Sequence, residues 1–204
     1  MAKLPVPPVP LGVPPQIATL PAGSMWWQIY FAGGTHPATW NGFRFYGPTN
    51  SRFDHHDPPA AISAKGILYA ADDPVTCLAE VFQATRAIDR GASVPWLVGF
   101  KLVRDVPLLD MTGPWPTAAG ASMAIHSGPR PRARLWSRAI YNGYSHVEGL
   151  LFASSMHANK PSLVLYERAL SAMPAAPVFH RALNDPALLG RLDAAALRLG
   201  YRLL

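Results

Sequence analysis

The chain has 204 residues, half of them apolar, with 18 basic against 12 acidic side chains and a net charge of +6. That length supports one hydrophobic core and one domain, and the positive balance suits an anionic partner without choosing among nucleic acid, an acidic protein and a phosphate-bearing small molecule. The lone Cys77 excludes an internal disulfide framework, and no stretch reaches the ~18 uninterrupted apolar residues of a membrane span.

Residues 1–23 are rich in proline and poor in charge, so they read as an extended arm lying over a domain that occupies residues 24–204. Proline breaks the apolar run that a signal peptide would need, and a soluble, cytoplasmic protein is expected. Residues 25–31 are aromatic-rich, end at Gly33-Gly34, and predict a first strand. Residues 35–59 are loop-like, with short ordered pieces around Phe43-Arg44-Phe45 and Arg52-Phe53, and a loop of that length inside a compact domain is usually functional. Within it, Asp54-His55-His56-Asp57 invites a metal, but adjacent loop residues seldom converge on one ion. A polar loop that caps itself is expected instead, with no metal site.

The stretch 66–83 is the clearest local signal. An apolar run holding Tyr69 stops at Asp72-Asp73-Pro74, with Asp73 as helix N-cap and Pro74 at the first helical position, where its missing N–H costs nothing. Val75, Leu78, Ala79 and Phe82 share one helical face, Cys77 reads as a small buried hydrophobe, and Glu80 stands at the border of the stripe, facing either solvent or a cleft. Further on, residues 94–103 and 106–111 predict strands, 118–125 a short helix, and 132–144 a helix with Leu135, Trp136, Ala139 and Ile140 inward. Residues 148–155 and 162–168 predict strands, and a final helix is capped by Asp185 and opened by Pro186. This order predicts an α+β domain built on a single mixed sheet with flanking helices.

Several site types are missing from the sequence. It has no phosphate loop ending in Lys-Ser or Lys-Thr, no G-x-G-x-x-G after a strand, no G-x-S-x-G elbow and no H-E-x-x-H helix. Arg130, Arg132, Arg134 and Arg138 form the densest basic patch, read as a solvated helix face or as a docking site for an acidic partner or nucleic acid. His126, His146, His157 and His180 each read as surface or satisfied histidines. What remains is Arg52, Tyr69, Glu80 and Ser154, polar residues at the ends of apolar segments. Together they suggest a site that clamps a phosphorylated ligand and breaks a bond to a cationic leaving group.

Five pieces carry a resemblance: Ser51-Arg52-Phe53, Ile67-Leu68-Tyr69-Ala70, Cys77-Leu78-Ala79-Glu80-Val81, Glu148 through Ser154, and the strand that follows. In order and spacing they resemble the RES domain family, over roughly residues 26–168. The resemblance implies an ADP-ribosyltransferase-like fold and an NAD⁺-degrading toxin acting by phosphorolysis or hydrolysis, with NAD⁺ as substrate, inorganic phosphate as co-substrate and no separate cofactor. It also implies an antitoxin partner, acidic or DNA-binding, and leaves a homo-oligomer open. Carried over, Arg52 would hold the pyrophosphate or the attacking phosphate, and Tyr69 would line the nicotinamide pocket. Glu80 would support the oxocarbenium-like ribose, and Ser154 would position phosphate or ribose. Family members often carry an arginine on the first strand, near Ile29-Tyr30-Phe31, and this chain has none; Arg44 is the candidate replacement, with Tyr30 as a further substrate contact. ADP-ribosyl transfer to a macromolecule and a basic nucleic-acid-binding module are the competing readings.

Overall fold

In the computed structural model, which describes residues 4–204, the stretch 66–83 forms a strand and a helix joined by a tight turn. Asp73 is extended, and its carboxylate accepts from the backbone N–H of Val75 and Thr76, so helix α1 (Pro74–Val81) starts where the cap and the proline predict. The preceding strand is longer than expected and runs over Ala61–Ala71, because its first half pairs with a short strand at Arg44–Gly47.

In chain order the strands before α1 are β1 (Ile17–Leu20), β2 (Met25–Phe31), β3 (Arg44–Gly47) and β4 (Ala61–Ala71). After α1 come β5 (Ala87–Ile88), β6 (Pro95–Lys101), β7 (Val106–Asp110), helix α2 (Trp115–Ala118), helix α3 (Arg130–Gly143), β8 (Gly149–Ala153) and β9 (Pro161–Tyr166). The chain closes with β10 (Phe179–Ala182), helix α4 (Leu189–Leu199) and β11 (Arg202–Leu203). Among the described residues, nine strands form one sheet in the order β1-β7-β8-β9-β4-β2-β6-β10, with β3 also on β4, and β11 pairs with β5 separately. Within the large sheet β7 and β8 are parallel and the other pairs antiparallel. The fold is therefore α+β on a mixed sheet with flanking helices, as the element order predicts. No helix among the described residues is long and apolar enough to cross a membrane.

The registers explain where the site sits. Trp27 faces Ala71, Ala71 faces Ser162, and Ser162 faces Phe152, so these four side chains form one lateral row on one face of the sheet. At one end of that face α3 packs through Ala133, Trp136 and Ile140 onto Ile67, Val164, Tyr166, Leu150 and Phe152. At the other end Leu78 and Phe82 join Leu192, Ala195 and Ala196 of α4 over Leu97, with Trp27 and Ile29 packed against them. Between these two clusters the row lies open as the floor of a cleft. The opposite face is covered by a third cluster that includes Trp26, Phe43, Leu68, Phe100, Leu163 and Ala169.

Four expectations are amended. The proline-rich segment supplies β1, which pairs antiparallel with β7, and it packs on the α3 layer with Leu4 and Leu11 buried; residues 1–3 lie outside the described residues. Backbone carbonyls in this segment accept from buried aromatic donors: Pro5 from the Trp136 indole at 2.8 Å, Pro14 from the Trp115 indole at 3.2 Å, and Val13 from the Tyr144 hydroxyl at 2.6 Å. The short helix expected at 118–125 is two pieces, α2 and a 3₁₀ turn at Met123–His126, because Gly120 at φ 89° breaks the run. The buried stripe of α3 is Ala133, Trp136, Ser137 and Ile140, leaving Leu135 and Ala139 half-buried at its edge; Ser137 can go inside because its hydroxyl donates to the Phe53 carbonyl at 2.7 Å. Asp185 caps a 3₁₀ turn at Pro186–Leu188 that leads into α4, instead of capping α4 itself.

Candidate active site

The cleft encloses about 510 Å³. Ala71, Phe152 and Ser162 line its floor with Tyr69 beside them, α1 contributes Cys77 and Glu80, the loop before β4 contributes Ser51 and Arg52, and the α3 end contributes His126 and Arg130. Of the residues singled out in the sequence, the structure brings Arg52, Tyr69 and Glu80 to one cavity, with Ser154 directly behind Glu80.

Glu80 sits one residue before the end of α1 and is half-buried. Its Oε1 accepts from the Ser154 hydroxyl at 2.5 Å. Ser154 is fully buried at the end of β8, and its Oγ accepts in turn from the backbone N–H of Met156 at 3.2 Å and of His157 at 3.1 Å. With both acceptor positions facing backbone donors, the hydroxyl proton is directed to Glu80. Ser154 thus positions the carboxylate; the neighbouring Ser155 lines the cleft instead. The Gln83 amide adds a second hold, donating to the Glu80 carbonyl at 2.6 Å and to Glu80 Oε2 at 3.3 Å. Cys77, packed beside Glu80, is buried, and burial raises its thiol far above the usual range, which leaves it a packing residue.

Arg52 reaches in from the loop after β3, with Nη1 donating to the Gly128 carbonyl. Burial and the nearby Arg130 charge pull its guanidinium below its usual value, and Glu80 opposes them. Burial likewise raises the Tyr69 phenol, keeping it neutral, with Ser51 as a near polar group. His126 donates from Nε2 to the Met111 carbonyl at 2.9 Å; burial lowers its pKa, and Arg52 adds to this, so the ring is neutral at pH 7.

Tyr30 and Arg44 are placed elsewhere. Strand alternation sends Ile29 and Phe31 to the cleft and turns Tyr30 to the other face, where its hydroxyl bonds His180 Nε2 at 2.8 Å and its ring stacks on Trp96. Arg44 on β3 is bound to the buried Asp54 carboxylate at 2.9 Å and does not reach the cleft as a substitute for a first-strand arginine. That same Asp54 holds together the segment expected as a polar loop. It accepts from the Thr49 N–H and hydroxyl and from the His56 ring, and Asp54, His55 and His56 are all buried.

The sequence reading missed Arg130 and Gln83 as site residues. Arg130 opens α3, and its Nη2 donates to Gln83 Oε1 at 2.8 Å, so the basic patch divides. Arg130 turns into the cleft, Arg134 reaches Asn50, Arg138 reaches the His56 carbonyl, and Arg132 is exposed. The signal available for Gln83 was its place three residues after Glu80 and two past the end of α1, close enough for its amide to fold back on the Glu80 carbonyl.

The cleft thus gathers one carboxylate on a short helix, two arginines and a tyrosine along its wall. The RES domain family model matches residues 25–185, and the chain belongs to that family. In fold it is similar to a chain of the crystal structure of the M. tuberculosis MbcT–MbcA toxin–antitoxin complex, with a TM-score of 0.57 and 20% identity, covering 86% of this chain and 92% of that one. No curated protein matches the chain in sequence.

Proposed function

We propose that this chain degrades NAD⁺ by cleaving the bond between nicotinamide and ribose, and that it is the toxin of a toxin–antitoxin pair. The observation that carries the reading is Glu80, a carboxylate held by the Ser154 hydroxyl at 2.5 Å in a cleft that it shares with Arg52 and Tyr69. The RES family membership and the fold shared with a chain of a toxin–antitoxin complex support it.

In this reading the pyridinium nitrogen leaves with the bonding electron pair as neutral nicotinamide, and positive charge develops on the ribose anomeric carbon. Glu80, fixed beforehand, stabilises that charge without reorganising. Arg52 holds phosphoryl oxygens, and the Tyr69 ring lines the wall against which the nicotinamide lies. An oxygen of inorganic phosphate or water then bonds to the anomeric carbon, and water gives up a proton to solvent. The cleft orients the ligand and limits competing nucleophiles.

Purified protein incubated with NAD⁺, with and without inorganic phosphate, tests this by the release of free nicotinamide. Wild type should release it, and Glu80→Gln should be slower by about 100-fold or more. Equal release from wild type and Glu80→Gln in both buffers removes the proposal. The phosphate dependence separates phosphorolysis from hydrolysis. An acidic or DNA-binding antitoxin would complete the pair, and its co-purification with the chain is the corresponding check.

A further inference from the structure

Two arginines face the same cavity with no carboxylate paired to either. Arg52 and Arg130 both line the cleft, and both are half-buried. Among the described residues neither forms an ion pair; Arg52 bonds the Gly128 carbonyl and Arg130 the Gln83 amide oxygen. By contrast Arg44 is matched by Asp54, and Arg104 by Glu148 at 2.9 Å. Each guanidinium has five donors, so both retain N–H groups for a ligand.

We propose that Arg130 completes, with Arg52, a two-cation subsite for a phosphoryl oxyanion, and that Gln83 couples this subsite to Glu80. Guanidinium groups that repel each other in a partly desolvated cleft are stabilised by an anion that both can bind, and the planar donors suit phosphoryl oxygens. Burial first and the Arg130 charge second depress the Arg52 guanidinium, with Glu80 opposing in part, so the two cations sense each other across the cleft. Gln83 uses both ends of one amide: its nitrogen donates to the Glu80 carbonyl and carboxylate, and its oxygen accepts from Arg130. The cation that meets the anion and the carboxylate that meets the cationic end of the ligand are therefore set by the same side chain.

The oxyanion has two sources, the diphosphate of the dinucleotide and free inorganic phosphate; this assignment of occupants rests on the NAD⁺ reading above, whereas the pair of cations does not. Isothermal titration of the full chain with inorganic pyrophosphate, inorganic phosphate and ADP-ribose, in wild type, Arg130→Ala and Arg130→Lys, tests the subsite directly. Arg130→Ala should weaken at least one of the three by about 10- to 100-fold, the loss expected for charged hydrogen bonds, and Arg130→Lys should recover part of it. In turnover, a raised KM for NAD⁺ assigns the subsite to the diphosphate and a raised KM for phosphate assigns it to the free anion. Cleavage of nicotinamide riboside, which has no phosphoryl group, should fall less in Arg130→Ala than cleavage of NAD⁺ does, because it loses the hold through Gln83 on Glu80 but no anion contact. The proposal is overturned if wild type binds none of the three anions, if Arg130→Ala binds them as wild type does, or if nicotinamide riboside cleavage falls in the same proportion as NAD⁺ cleavage. Should Arg130→Ala fail to fold, Arg130→Gln, which also removes the charge, decides by the same criteria. Binding of pyrophosphate that depends on Arg130, in a wild type that releases no nicotinamide, would sink NAD⁺ degradation and leave the subsite standing.

Discussion

Ser154 Oγ donates to Glu80 Oε1 at 2.5 Å, so a residue at the end of β8 fixes the carboxylate presented by α1 across 74 positions of sequence. Removing the hydroxyl leaves Glu80 in place but free to turn, and it strips the Met156 and His157 N–H groups of their acceptor. Ser154→Ala should lower kcat for nicotinamide release by about tenfold, with a loss of about 1–2 kcal/mol in stability from the exposed donors. In a double-mutant cycle, Ser154→Ala should add little to Glu80→Ala, because the serine acts on catalysis through the glutamate. Additive effects on kcat would place the hydroxyl on the ligand instead.

Helix α1 has two turns, so its cap weighs heavily on the position of Glu80. Asp73 accepts from Val75 N at 2.7 Å, Thr76 N at 3.0 Å and the Thr76 hydroxyl at 2.9 Å. Asp73→Ala should cost about 1–2 kcal/mol in urea unfolding, while Asp73→Asn, which keeps a capping oxygen, should lose less than half of that. Equal losses in the two variants would show that the cap geometry is not what matters.

Gly149 opens β8, paired with Leu165 of β9. A Cβ there would lie 2.1 Å from the Val164 carbonyl oxygen and 2.8 Å from Leu108 Cδ2. Both neighbours belong to packed strands, so Gly149→Ala should destabilise the fold by about 3 kcal/mol. It should also shift Ser154, five residues on, and lower activity at temperatures where the protein remains folded. Thermal melts together with nicotinamide release separate the two effects.

Acid should unfold the protein in two stages. Burial lowers the pKa of His55 and His126, so each binds a proton more readily unfolded, and stability falls as pH drops below about 6.5. Burial alone would raise the Asp54 carboxyl, but the Thr49 N–H, Arg44 and His56 outweigh it and hold it at about 2; His55, Tyr141 and the Gly66 N–H do the same for Glu167, also at about 2. These carboxylates contribute stability above their unfolded values near 4 and lose it as pH falls toward 2, on the order of 2 kcal/mol each. Asp54→Asn should destabilise the protein at pH 7 by a similar amount and flatten the lower limb of the stability curve. A variant curve parallel to wild type between pH 4 and 2 would contradict this.

The parts of the fold readable from sequence were those whose cause is local. Asp73 and Pro74 announce α1 because cap and first turn are neighbours, and the aromatic run of β2 is bounded by its own glycines. Strands β5, β10 and β11 carry no such signal; two to four residues long, they exist through partners such as Gly99 for Phe179 and Arg202 for Ala87. In the site, residue types pointed to Arg52, Tyr69 and Glu80, but orientation was not legible. Tyr30 turns away by strand parity, and Ser154 faces Glu80 because a tight turn captures its oxygen. Arg130 was hidden among four arginines of one helix, and only the packing of α3 decides which of them meets the cleft. The buried Asp54-His55-His56 segment was illegible for the same reason, since its partner Arg44 arrives from another strand.

The Tyr201 hydroxyl donates to the carbonyl of Ala79 at 3.2 Å, one residue before Glu80 and 122 positions along the chain from its partner. Strand β11 follows at once and binds β5, so the platform beneath the carboxylate is closed by residues beyond 200. A chain emerging from the ribosome and still short of Tyr201 carries every residue that lines the cleft but not the clamp that steadies α1. Placement of Glu80 therefore depends on a residue that lines no part of the cleft.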